Sequence, residues 1–105
     1  MDKHSDVSTL RIDASHPSLP GHFPGRPIVP GVLLLDQVIS RAERWLGYRL
    51  SIGALAQAKF TQPLLPNEEA TLSLTYTEPE LKFEIVKESD RIAQGSFKLR
   101  HGPRE

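Results

Sequence analysis

The chain has 105 residues, 38% of them hydrophobic, which suits one small domain with a single core and little surface to spare if it stays alone. Thirteen basic and thirteen acidic residues cancel, so no overall field draws the chain to nucleic acid or to an anionic membrane, and an acidic partner has to meet a local patch. The lack of cysteine excludes disulfides, thiol catalysis and cysteine-based metal sites; no apolar run approaches the roughly 20 residues of a membrane span, and MDKHSDVSTL has no signal-peptide core, so a soluble cytoplasmic protein is expected.

Residues 1–6 are polar and expected to be loose, and the alternation from Val7 to Ile12 suits a short strand. Ala14 to Pro30 then holds five of the nine prolines and two of the four histidines, and so long an irregular segment inside a small domain is more often functional than idle. The spacing predicts a helix over 32–46, with Leu34, Leu35, Val38, Ile39, Ala42, Trp45 and Leu46 on one broad face and Gly47 as its stop. Asp36 falls just outside that face, beside Val32 and Ile39. Taken alone, an acid near a helix N-terminus is ordinarily a solvated residue in a favourable dipole field.

Beyond Gly47, Ile52, Ala54, Ala56, Ala58 and Phe60 alternate with Gly53, Gln57 and Lys59, which predicts a strand whose even positions are buried, with small alanines that let the helix come close. Pro63 and Pro66 end it, and Asn67-Glu68 reads as a turn. Leu72, Leu74 and Tyr76 share one strand face, and Leu81, Phe83 and Ile85 repeat the pattern after Glu78-Pro79-Glu80, a hairpin with a three-residue connection. Ser89-Asp90 is expected to turn the chain into a last strand over 91–100, where Ile92 has one parity and Phe97 and Leu99 the other, so a β-bulge is expected at Gly95. Residues 101–105 should be loose. One helix and a run of antiparallel strands in a single domain, 1–105, give an α+β class in which the sheet curls around the helix.

His22 and Asp36 stand fourteen positions apart, a spacing that no periodicity explains. The sixteen residues GHFPGRPIVPGVLLLD resemble the signature of the 3-hydroxyacyl-[acyl carrier protein] dehydratases, roughly GHFPxxPxxPGVLxxE/D, and AKFTQPLLPNE is similar to that family's KFxxPVxPGD strand and turn. The resemblance implies the hot-dog fold, one central helix wrapped by a curved antiparallel sheet and paired edge to edge in a homodimer. It also implies dehydration of a 3-hydroxyacyl thioester, carried by an acyl carrier protein, to the trans-2-enoyl thioester, with His22 and Asp36 as a catalytic pair drawn from different subunits. Neither cofactor nor metal is called for. The chain looks closer to the compact dehydratases of aryl-polyene or secondary fatty-acid pathways than to the longer housekeeping enzymes.

That reaction needs a base for a weakly acidic carbon, a donor for the enolate oxygen, and an acid for the leaving hydroxyl. An imidazole titrates near neutrality, so His22 suits the base. The helix start at Gly31 offers backbone N–H groups and the positive dipole end to the thioester oxygen, with Val32 and Phe23 beside the substrate. Asp36 suits the acid if apolar surroundings, Val32, Ile39 and the partner subunit, favour its protonated form. Two departures stand out: many relatives carry glutamate at Asp36, whose side chain reaches about 1.5 Å less, and Ser40 replaces a common glutamine. Two other readings compete. One is a hot-dog thioesterase, against which the GHFP histidine argues; the other is a supporting subunit of a dehydratase heterodimer. A metal site on His16 and His22 lacks any further ligand pattern. Lys59, Arg26 and the group Arg91, Lys98 and Arg100 are candidates for a carrier-protein contact, although solvated strand positions explain each of them as well. Trp45, Phe60 and Phe83 are expected to set the depth of an acyl tunnel.

Overall fold

The computed structural model describes residues 4–13 and 28–100. Its elements are β1 (His4–Leu10), α1 (Gly31–Leu46), β2 (Ile52–Phe60), β3 (Ala70–Thr77), β4 (Glu80–Lys87) and β5 (Asp90–Leu99). The five strands make one antiparallel sheet in the order β1-β3-β4-β5-β2. Alternation puts Leu72, Leu74, Tyr76, Leu81, Phe83, Ile85, Ala93, Phe97 and Leu99 on one face, where they join Leu33, Leu34, Val38 and Ala42 of α1 in a single core. The helix follows the extended Pro30 and ends where Gly47, in the left-handed region, donates its N–H to Glu43 O at 2.8 Å. Leu35, Ile39, Trp45 and Leu46 pack on the core half-buried; Leu33, which the wheel leaves off the apolar face, is buried.

Several boundaries differ from the sequence reading. β1 begins at His4, inside the stretch expected to be loose, and pairs with β3 from Tyr76 to Ala70. A ladder is made by backbone groups, so the polar run HSDVS joins it as readily as an apolar one. The β3–β4 connection has two residues, Glu78-Pro79 with a cis bond, because Glu80 already pairs with Thr77. Likewise the next turn is Glu88-Ser89, with Glu88 at φ 57° and Asp90 paired to Lys87.

The bulge of β5 is not at Gly95. It falls at Ile92, between the pairs Ile85↔Ala93 and Val86↔Arg91. Gly95 stays in register with Phe83 and Ala58, and it is glycine because β2 crowds it: a Cβ there would overlap the Gln57 carbonyl oxygen and stand 2.9 Å from Ala58 Cα. β2 itself does not bury the even positions Ile52, Ala54, Ala58 and Phe60. Register shifts between Ile52 and Ala54 and between Leu55 and Gln57 change its parity, and as an edge strand it has a neighbour on one side only. Ala54 is exposed, Ile52 and Ala58 are half-buried, and Phe60 keeps 46% of its surface.

The two sheet edges are unlike. At the β1 edge, Arg41 of α1 donates to Thr9 O at 2.9 Å, and Asp6, opposite Leu74, turns a charge toward the inner face, two devices that discourage a further strand. At the β2 edge no such bond to a helix side chain is found among the described residues.

Candidate functional site

The N-terminal end of α1 is set by a single tether. Val29 N–H donates to Leu64 O at 2.8 Å, which locks the residues entering the helix against the segment leaving β2. Between them lies a largely apolar cleft of about 360 Å³ with walls from residues 28–31, Leu34 and residues 60–64. Its floor belongs to the core: Val29, Leu34 and Leu64 are buried. The rim is fixed on the sheet side by Thr61, whose N–H bonds Ile92 O at 2.9 Å and whose hydroxyl donates to Arg91 O at 2.6 Å.

At the first turn, Leu33 and Leu34 N–H both reach Pro30 O, at 3.0 and 3.3 Å. Gly31 and Val32 N–H are then left without an acceptor among the described residues, and no acidic side chain occupies the first turn to neutralise them. The helix start therefore presents free donors and the positive dipole end beside the cleft. The tip of the Phe60 ring lies face-on to Gly31: a Cβ on Gly31 would meet the ring at 3.0 to 3.3 Å. Asp36 is five residues on, about 7.5 Å along the axis.

Gly31, Val32 and Asp36 thus lie within the first two turns of the helix, and of the three only Gly31 lines the cleft. His22, Phe23, His16 and Arg26 lie outside the described residues. The apolar surroundings expected for Asp36 are not made by this chain alone: Asp36 is exposed, Val32 is 69% exposed and Ile39 is only half-buried. The aromatic residues expected to act together are separated. Phe83 is buried against Phe97, ring centres 5.7 Å apart, and only Phe60 of the three lines the cleft. The cations divide as well. Lys59 is next to Phe60, and Arg91 near it is bound to Glu84 at 2.6 Å, while Lys98 is seven residues along β5 from Arg91, about 23 Å away.

What sequence reasoning did not foresee is the clamp of Val29 on Leu64 and the seat of Phe60 on Gly31. The signal for both was FTQPLLP, whose prolines carry the chain out of β2 and back past the helix start. Among the described residues, no group of three or more His, Cys, Asp or Glu residues is placed to hold a metal ion, and no helix is long and apolar enough to cross a membrane.

Comparison with known proteins gives the family and the fold. The ApeI-like family, described as ApeI dehydratase, matches residues 1–96. The 3-hydroxyacyl-[acyl-carrier-protein] dehydratase FabZ of Enterococcus faecalis is 29% identical over 96 residues, 85% of this chain and 60% of that protein. FabZ of Chlamydia trachomatis is 31% identical over 86 residues, 73% of this chain and 56% of its own length. The chain thus spans less than two thirds of these curated relatives. Among solved structures, a chain of the dehydratase heterocomplex ApeI:P from Xenorhabdus doucetiae superposes with TM-score 0.82 at 29% identity, covering 91% of this chain and 87% of that one. An acyl-CoA hydrolase mutant from Staphylococcus aureus superposes with TM-score 0.65 at 12% identity, over 96% of this chain and 71% of the other, a likeness of fold alone. The architecture is the hot-dog fold.

Proposed function

Because the chain belongs to the ApeI-like dehydratase family, we propose that it dehydrates a 3-hydroxyacyl thioester, presented by an acyl carrier protein, to the trans-2-enoyl thioester in cytoplasmic fatty-acid or polyene biosynthesis. The observation that carries this reading is the helix start, where Gly31 N–H, without an acceptor among the described residues, borders an apolar cleft in the segment that also holds His22 and Asp36. The thioester oxygen accepts from Gly31 N–H, and the dipole stabilises the enolate as it forms. His22 takes the proton from the carbon next to the carbonyl. Asp36 gives a proton to the hydroxyl three carbons in; the C–O bond breaks and water leaves. Val32 and Phe23 flank the acyl group.

We take the working unit to be a homodimer. Asp36 has no apolar wall among the described residues, and the exposed Val32 and Leu65 give a second copy apolar surface to cover. The unguarded β2 edge is the natural place for the sheets to meet. A second reading, a supporting subunit within a heteromeric dehydratase, is favoured by the likeness to a chain of the ApeI:P heterocomplex and by the same exposure of Asp36.

One assay separates the readings. Purified protein is given a 3-hydroxyacyl thioester while enoyl absorbance and free thiol are followed separately. Enoyl formation without thiol is the expected result. Thiol release would mean a thioesterase, and neither product, with activity restored by a heteromeric partner, would mean a supporting subunit.

A further inference from the structure

We propose that the Phe60 ring is a specificity wall of this site: it packs beside the first two carbons of the acyl group and selects thioesters with no branch at the carbon next to the carbonyl. The inference rests on the dehydratase reading for the identity of the occupant. Its structural basis is the contact between the ring and the helix start. Cζ, Cε1 and Cε2 stand 3.0, 3.2 and 3.3 Å from where a Gly31 Cβ would be, so the tip of the ring lies face-on against the helix start and a side chain on residue 31 would press on it.

The backbone that carries this ring is held on both sides. Phe60 pairs with Ala93 of β5, Thr61 is bonded twice to β5, and Leu64 is bonded to Val29. Val29, Leu34 and Leu64, the other apolar walls, are committed to the core, whereas Phe60 presents nearly half of its surface. It is therefore the wall that meets a ligand without unpacking the protein.

A thioester oxygen bonded to Gly31 N–H stands about 2.9 Å from that nitrogen. The carbonyl carbon and the next carbon follow at about 1.2 and 1.5 Å further bonds, so both lie within about 5 Å of Gly31 N. Carbon atoms rest in contact at about 3.5 to 4.0 Å. With the ring face against the helix start, the proposed wall leaves a hydrogen on the second carbon in ordinary contact and brings a methyl group there against the ring. Discrimination by a single methyl group in an apolar pocket amounts to roughly 10- to 200-fold.

The test compares 3-hydroxybutyryl with each epimer of 2-methyl-3-hydroxybutyryl thioester in the wild type, Phe60→Leu and Phe60→Ala. The expected result is a kcat/KM ratio favouring the unbranched substrate by at least about tenfold in the wild type, falling several-fold in Phe60→Ala, with Phe60→Leu between. If the ratio stays fixed while both rates fall together, the ring is packing only and the proposal is wrong. Should no form turn over either substrate, the dehydratase reading fails, and calorimetry with unreactive butyryl and 2-methylbutyryl pantetheine amides decides the wall independently. A preference for the unbranched amide that Phe60→Ala erases upholds it; equal binding, or none, overturns it.

Discussion

Gly31 and Phe60 are twenty-nine residues apart in the chain and in contact in the fold, so changes at the two should not add. Gly31→Ala brings a methyl to 3.0–3.3 Å from the ring, which must give by a few tenths of an ångström, so the change should cost more with the ring present than without it. In the Phe60→Ala background the same change should cost much less, a coupling read from the thermal midpoints of the four proteins. Additive losses would mean that the ring does not sit where the structure has it. The sequence marked Gly31 and Asp36 through the GHFP segment, whereas the Phe60 contact had only the prolines of FTQPLLP as its signal, because a meeting of distant residues leaves no periodicity. Titration supplies a second check. Burial, with a hydrogen bond to Tyr48, pushes the Tyr76 phenol up to about 12 from 10.0. A raised acid is favoured neutral in the folded chain, so stability should fall as pH rises through 10 toward 12, and Tyr76→Phe should remove that part of the alkaline loss. The Glu68 carboxyl is held below its usual range by Lys87 at 2.7 Å and by Leu65 N–H, so its contribution is present above the ordinary value of 4.5 and disappears as pH falls through the lowered one. Glu68→Gln should flatten the acid limb of the stability profile.

The order helix then strands was legible because Leu34, Val38 and Ala42, or Leu72, Leu74 and Tyr76, repeat with one period throughout an element. β2 and β5 were less so. Their inward and outward residues exchange roles at Gly53, Ala56 and Ile92, and a bulge moves parity without changing composition. Gly95 read as a bulge for the same reason; only the neighbouring strand reveals that it serves close approach. Gly95→Ala should therefore be among the most damaging single changes, disrupting the β2–β5 ladder and with it the cleft wall at Phe60, and should show as loss of cooperative unfolding or of soluble protein. A normal midpoint for Gly95→Ala would contradict the β2–β5 register. Val32 gives the opposite case. It is 69% exposed in one chain, so Val32→Asp should leave the chain's own secondary structure intact yet weaken self-association, measured by sedimentation. An unaltered dimer would exclude this end of the helix from the interface.

For the whole molecule, what one chain leaves unfinished defines the account: an exposed acid, an apolar helix end and an open sheet edge on the side of the cleft. For the proposed dimer, the polar guard on the β1 edge, with no counterpart on the β2 edge among the described residues, favours addition of the second copy at β2. None of this was visible in composition, since a residue destined for a partner and one destined for the core are equally apolar. The central claim, that His22 of one chain and Asp36 of another make one site, is tested most directly by mixing His22→Ala with Asp36→Asn. Each alone should lose most turnover. After verified subunit exchange at equal amounts, half the dimers are mixed and each has one intact site of two, so about a quarter of wild-type activity should return. No recovery after exchange would contradict a site shared between chains.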